Sequence, residues 1–151
     1  MNLNETFKLV GEWTITRVDA NTGTILDTET VHNIIVNTGK ERVAKLLNGI
    51  SSTYLRAIGI GTGATGALVG NSTLEVEFTR STATLTYETG YKSKFAKTFS
   101  FGAGVLESIT EAGIFDSATV SGSTMFNRVT FAAKVVTIDV QLIITCNITV
   151  V

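Results

Sequence analysis

The clearest pattern in the chain is an alternation of apolar and polar residues, which predicts β-strands. The segment Val136–Val150 places apolar side chains at every second position, with Ile143 as the exception. The segment Phe7–Asp19 alternates in the same way, with Trp13 and Ile15 on its apolar face. A period of two residues is typical of strands that are buried on one face. We predict two half-buried strands, of which the longer one bends or crosses between sheets.

Other segments rich in β-branched and aromatic residues predict further strands between turn residues. They are 24–36, 54–60, 75–79, 82–91, 95–101, 108–115 and 124–132. Turn residues at 19–23 join the first two strands into a hairpin. Eight or nine strands with one helix predict a mainly β fold, an antiparallel β-sandwich that is jelly-roll-like.

One segment, near residues 39–49, has the period of an α-helix. Thr38 and Glu41 have the spacing of a capping box, in which each side chain binds a free N–H of the first turn. Gly49 lies where a left-handed glycine ends a helix. The helix is short, so packing must stabilise it. The apolar residues that share one helical face are Val43, Leu46, Leu47 and Ile50.

Composition indicates a surface with little charge. The chain of 151 residues fits a single domain, 1–151, in which residues 1–30 are candidates for an N-terminal hairpin or arm. Charged residues make up 17% of the chain, against about 25% in average proteins. A surface of this kind is less protected against association, although a compact β-domain rich in Thr and Gly has the same composition.

Charge and hydropathy also exclude several partners. The net charge is −1 and the basic residues are scattered, so we expect no nucleic acid partner. No apolar stretch reaches the roughly 20 residues of a membrane helix. The N-terminus lacks the apolar region of a secretory signal. We expect no membrane partner and synthesis in the cytoplasm.

A glycine-rich loop at residues 61–66 matches the spacing G-x-G-x-x-G. A dinucleotide site needs this motif between a strand and a helix, because the helix N-terminus holds the pyrophosphate. No helical face follows the loop, and the chain has no βαβ pattern. We therefore interpret the loop as a turn that needs the conformational freedom of glycine.

The residues that usually carry chemistry are few. His32 is the only histidine, which excludes a two-histidine metal site and leaves no serine-type triad with a G-x-S-x-G element. Cys146 lies on the apolar face of the last strand, where a small buried hydrophobe is expected. The carboxylate pairs Glu75/Glu77 and Asp27/Glu29 have no aromatic sugar platform beside them, so they predict exposed strand faces rather than a glycosidase. We predict no catalytic, cofactor-binding or metal-binding residues.

Two stretches together resemble small structural proteins of tailed-phage virions, described as head decoration or tail-fibre-like proteins. The first comprises 33–39, the helix and 57–63. The second comprises 109–116 and 124–131, followed by the alternating terminal strand. The resemblance covers roughly residues 33–150. It departs from the usual pattern because no proline follows the glycine loop and residues 1–30 have no counterpart.

The resemblance implies a non-enzymatic capsid decoration or cement protein on the capsid exterior of the virion. Such a protein stabilises the head by bridging subunits of the major capsid protein, and we expect a homotrimer. We expect the N-terminal arm to contact a neighbour through Asn2, Leu3, Asn4 and Phe7. Within the resembling sequence, Glu111-Ala112-Gly113 predicts a bulge or a close approach inside a strand.

Three alternatives remain from the sequence. The same fold would serve in the tail or its fibres, in assembly or attachment to the host surface. A free carbohydrate-binding β-sandwich would need exposed aromatic residues, and Trp13 lies on an apolar face. An enzyme is the weakest reading, because it would depend on Glu75 or Glu77.

Overall fold

Two five-stranded antiparallel sheets face each other in the computed structural model, which describes residues 6–151. The first sheet has the order β2-β1-β10-β7-β6 and the second β3-β9-β8-β4-β5. The elements are β1 (Leu9–Asp19), β2 (Ile25–His32), β3 (Ile34–Ile35), α1 (Asn37–Leu47), β4 (Ala57–Gly61), β5 (Glu77–Thr82), β6 (Thr84–Glu88), β7 (Lys92–Phe99), β8 (Glu107–Phe115), β9 (Met125–Val136) and β10 (Val140–Val150). The antiparallel β-sandwich with one short helix is confirmed.

The core lies between the sheets, where the apolar faces of the alternating strands meet. Trp13 and Ile15 of β1 are fully buried, as are Leu142 and Ile144 of β10. The β1–β2 hairpin lies inside the first sheet, because β1 pairs with both β2 and β10.

The predicted long terminal strand is wrong at its start. Val136 ends β9, and a tight turn then leads into β10. The Val140 amide donates to the Thr137 carbonyl at 3.1 Å, and the Asp139 amide donates to the Thr137 hydroxyl oxygen at 3.2 Å. Since the turn contains no glycine, the apolar alternation passes through it without a break.

Each open side of the sandwich is crossed by a chain segment that changes sheets. β2 passes to β3 through Asn33, and β5 passes to β6 through Ala83. The predicted strand 24–36 is therefore two strands. Trp13 Nε1 donates to Asn33 Oδ1 at 3.1 Å. A Cβ at Gly11 would lie 1.7 Å from that oxygen, so this bend requires glycine there.

The contacts at the start of helix α1 differ from those of the predicted capping box. Its N-cap is Val36, which makes no side-chain hydrogen bond, so the predicted capping box is wrong. The Thr38 hydroxyl instead donates to the Met125 carbonyl of β9 at 2.8 Å, and Glu41 pairs with Lys45 at 2.5 Å. Gly49 does have the expected left-handed conformation, with φ of 73°.

The apolar face predicted for the helix is largely uncovered. Val43 packs against the core, but Leu47 is 81% exposed and Ile50 is 73% exposed. The period of the sequence identified one face correctly, yet the chain places no sheet against most of it.

The Thr38 contact gives the first testable prediction. We expect Thr38→Ala to lower the free energy of unfolding by about 1 kcal/mol, because a half-buried hydrogen bond to a strand carbonyl is lost. The control Glu41→Ala should change it much less, because that carboxylate is in solvent. Urea denaturation would measure the free energy of unfolding of both variants. Equal losses would indicate that the two side chains act together as a capping box.

Candidate functional site

The motif at residues 61–66 opens a longer loop, residues 62–76, which lies on the outer face of the second sheet and is called the glycine-rich loop from here on. A Cβ at Gly61 would lie 2.3 Å from the Val76 carbonyl oxygen, and one at Gly63 would lie 2.5 Å from Glu111 Oε1 of β8. The glycines therefore provide the close approach of the loop to the sheet. None of Gly61, Gly63 and Gly66 has a positive φ, so the expected need for the conformational freedom of glycine is wrong. Gly61 and Gly63 are required for space, whereas Gly66 has nothing within 4 Å of a Cβ.

A buried carboxylate fills the place where such a loop would hold a phosphate. Glu111 is fully buried and accepts hydrogen bonds from the amides of Gly63 at 3.1 Å, Glu75 at 3.0 Å and Val76 at 2.8 Å. Arg128 Nε donates to the same carboxylate at 2.8 Å. The amide cradle is thus occupied by an anion of the chain itself, which supports the interpretation of the loop as structural.

Arg128 ties the far side of the same loop. Its guanidinium group donates to the Thr65 carbonyl at 3.0 Å and to Asn71 Oδ1 at 3.1 Å. Its side chain is 2% exposed. A polar hollow of about 360 Å³ lies beside it, but these contacts engage the guanidinium in holding the loop.

Two further arginines hold other chain segments in place at the second sheet. Arg42 of α1 forms an ion pair with Asp116 and donates to the Thr124 hydroxyl at 2.9 Å. Arg80 of β5 pairs with Glu77 at 2.7 Å and lies 3.4 Å above the Phe115 ring. Buried charge on this face serves loop attachment.

Of the bulge or close approach predicted for Glu111-Ala112-Gly113, the close approach is confirmed, whereas the register with β9 is continuous over these three residues. The register of β8 and β9 shifts between Ile109 and Glu111. A Cβ at Gly113 would lie 2.8 Å from the Asn127 carbonyl oxygen. The register shift therefore lies just before Glu111, the residue whose carboxylate anchors the loop.

The two carboxylate pairs do not form a common acid–base site. Thr65 donates to Glu75 from its hydroxyl and its amide, each at 2.8 Å, and these bonds hold the Glu75 pKa below its ordinary value. Glu77 faces Arg80 instead. Each carboxylate is engaged in a contact that fixes local structure.

The Asp27/Glu29 pair faces cations across the open side of the sandwich. Arg17 Nε donates to Asp27 at 2.8 Å, and this bond holds the Asp27 pKa below its ordinary value. Lys134 of β9 lies 2.9 Å from the Glu29 carboxylate. The pair links the edge strand β2 to its neighbour β1 and to the second sheet.

The remaining chemical candidates occupy separate places. His32 is exposed on β2, with Nδ1 3.3 Å from the Gly11 carbonyl oxygen. Cys146 is buried as predicted, and burial raises the pKa of its thiol. Trp13 is also buried, so its ring offers no sugar platform. Among residues 6–151, no three His, Cys, Asp or Glu side chains cluster with metal-site geometry.

The most distinctive surface lies at the end of the sandwich where β1 begins and β10 ends. Phe7, 65% exposed, lies between two apolar hollows of about 440 and 540 Å³. We call this surface the Phe7 end; its main residues are Phe7, Leu9, Leu47, Tyr91, Val150 and Val151, with Lys8 and Lys40 at the helix side. Contiguous exposed apolar surface of this kind marks interaction sites in soluble proteins.

The Phe7 end contains one of the four residues that we expect to contact a neighbouring subunit. Asn2, Leu3 and Asn4 lie outside the described residues, whereas Phe7 lies at the centre of this surface. Sequence reasoning missed Leu47 and the C-terminal valines, because an apolar residue in a periodic pattern is read as buried. One signal of this exposure was available in the sequence, because the apolar face predicted for the short helix extends past the end of the helix.

Comparisons with known proteins add no relative. No family model, curated protein or solved structure matches the chain. Within residues 6–151, no helix combines the length and apolar character required to span a bilayer.

Proposed function

We propose that the chain is a structural protein of a tailed-phage virion that acts by packing against neighbouring subunits rather than by catalysis. The preferred position is the capsid exterior, as a decoration or cement protein that bridges major capsid protein subunits. The resemblance of residues 33–150 to such proteins supports the virion assignment.

The observation that carries the packing role is the Phe7 end. Phe7, Tyr91 and Leu47 expose 65%, 72% and 81% of their surface, although the sandwich has a well-filled core elsewhere. Burying each large apolar side chain is worth about 1.5–3 kcal/mol. A partner that covers this end therefore gains binding energy that the isolated chain leaves unused.

The polar groups support the same role. The buried carboxylates and arginines fasten loops over the second sheet, and this leaves a rigid body with fixed surfaces. Rigid surfaces lose little conformational entropy on association. Repeated copies on a capsid then multiply modest affinities through linked contacts.

Capsid stability provides the test. Capsids that lack the chain should lose their contents at lower temperature and under milder osmotic shock than capsids that carry it. Adding the purified chain back should restore resistance. Phe7→Asp combined with Leu47→Asp should bind capsids more than about tenfold more weakly, because apolar anchors dominate subunit interfaces and the linked contacts between neighbouring subunits are lost.

The control for this experiment is Leu68→Asp. Leu68 is 62% exposed but lies on the glycine-rich loop and lines neither hollow of the Phe7 end. Its variant should restore capsids as the unmodified chain does. Capsids that resist heat and shock equally with and without the chain would contradict the cement role. Cryo-EM density at the tail rather than the head would then assign the chain to tail or fibre assembly.

A further inference from the structure

A second apolar surface lies at the opposite end of the first sheet. β1 runs from Leu9 to Asp19 beside the antiparallel β10, so the two ends are roughly 35 Å apart at about 3.3 Å per residue. We call the second surface the Ile138 end. Its exposed apolar residues are Ile25, Leu26, Leu106 and Ile138, with exposed fractions of 64%, 48%, 71% and 54%.

Backbone pairings place the chain segments that carry these residues at the same end of the sandwich. Val18 pairs with Ile25, and Glu107 pairs with Val136, close to Ile138. The Ala20 amide donates to the Asp139 carbonyl at 2.8 Å, which joins the β1–β2 turn to the β9–β10 turn.

The two ends carry opposite charge. Within residues 6–151, Lys8 and Lys40 at the Phe7 end form no ion pair, and neither do Asp19, Glu107 and Asp139 at the Ile138 end. Amides of the β1–β2 turn bind the Asp19 carboxylate and hold its pKa below the ordinary value.

The acidic residues near the Phe7 end and the basic residues near the Ile138 end form ion pairs within the chain. Glu41 on the helix pairs with Lys45, and Glu88 on β6 pairs with Lys94. At the Ile138 end, Arg17 pairs with Asp27 and Lys134 pairs with Glu29, so the charges of these two cations are neutralised as well. The basic character of one end and the acidic character of the other therefore remain available to a partner.

We propose that a second copy of this chain docks its Ile138 end against the Phe7 end, so that copies associate head to tail. The inference rests on the proposed packing function and names the partner at the Phe7 end. Apolar residues cover one another, while the lysines of one copy face the carboxylates of the next. Two Phe7 ends brought together would instead place like charges opposite one another, which is unfavourable.

A head-to-tail contact has a distinctive consequence. Each copy uses two different surfaces, so association continues until the rotation between copies closes a ring, or it extends as a column. Closure of three copies would give the homotrimer expected from the resemblance. A ring needs both ends intact on every copy, and a column needs both ends intact on every interior copy.

Mixing of end-specific variants tests the inference directly. The first variant carries Phe7→Asp and Leu47→Asp, and the second carries Ile25→Ser and Ile138→Ser, so that the two altered ends do not carry complementary charges. All four positions are more than half exposed, so the variants should keep the circular dichroism spectrum and thermal transition of the unmodified chain. Analytical ultracentrifugation over a concentration series then measures mass.

We expect the unmodified chain to form oligomers whose dissociation constant rises with salt, because screening weakens the attraction between the ends. Each variant alone should be monomeric, with association at least tenfold weaker. The mixture should give a heterodimer and nothing larger, because only one intact contact can form. Leu68→Asp, outside both ends, should associate as the unmodified chain does.

Two results would overturn the inference. One is an unmodified chain that remains monomeric at its solubility limit. The other is association that is lost in the first variant but intact in the second, which would indicate a symmetric contact of Phe7 ends. A chain that strengthens capsids yet stays monomeric would leave the proposed function standing, whereas head-to-tail association without an effect on capsids would leave only the inference.

Discussion

Replacing Glu111 by alanine is expected to lower the free energy of unfolding by about 3–5 kcal/mol, because the Arg128 guanidinium keeps only a 3.4 Å ion pair with the partly exposed Glu75 once the buried Glu111 carboxylate is gone. The carboxylate is fully buried and pairs with Arg128 at 2.8 Å. The same change removes the acceptor for the amides of Gly63, Glu75 and Val76. Those amides would be left unsatisfied beneath the glycine-rich loop, where each costs about 1–3 kcal/mol.

Chemical denaturation of Glu111→Ala would measure this loss, and Glu107→Gln on the same strand is the control because Glu107 is exposed. The double variant Glu111→Leu with Arg128→Met should lose less than the sum of the single changes, since removing both charges avoids an unpaired one. Digestion by a non-specific protease should begin within residues 62–76 in Glu111→Ala. A loss below 1 kcal/mol would show that water replaces the carboxylate.

Replacing Gly39 by alanine is expected to destabilise the protein by about 1–3 kcal/mol, because the added methyl group overpacks a closed contact. Gly39 is buried in α1, and a Cβ there would lie 2.0 Å from the Phe126 carbonyl oxygen. That oxygen belongs to the backbone of the second sheet, so the helix itself must move away. Helix propensity alone predicts the opposite sign, a gain of about 1 kcal/mol.

Thermal denaturation of Gly39→Ala and Gly66→Ala separates the two effects. Gly66 has nothing within 4 Å of a Cβ and no positive φ, so its alanine variant should be neutral or slightly stabilising. A shift of helix α1 should also weaken the Arg42 ion pair with Asp116, which Asp116→Asn in the Gly39→Ala background would reveal as a smaller additional loss. Stabilisation by Gly39→Ala would contradict the close packing of helix and sheet.

Much of the fold was predictable because strand periodicity is a local property. Trp13 and Ile144 lie on the faces that alternation predicted, and the helix occurs within two residues of its expected bounds. Gly49 ended the helix as its type predicts, since glycine adopts a positive φ at little cost. Cys146 is buried because it shares the apolar face of β10.

The errors occurred where a residue pattern fits more than one environment. Thr38 and Glu41 have the spacing of a capping box, yet the Thr38 hydroxyl donates to the Met125 carbonyl of β9 and the helix has no side-chain cap. The turn at 137–139 contains no glycine, so alternation continued through it. The helical periodicity predicted an apolar face on α1, but periodicity contains no information on what covers that face.

The sequence by itself determined the two-sheet β class, the strand faces, the position of the helix and the scarcity of catalytic side chains, because these depend on local periodicity and residue type. Only the tertiary structure decided that Glu111 fills the amide cradle of the glycine-rich loop, that Gly39 touches a strand, and that Phe7 and Ile138 lie on oppositely charged ends. These features join residues far apart in the chain, and strand order and register alone bring them together.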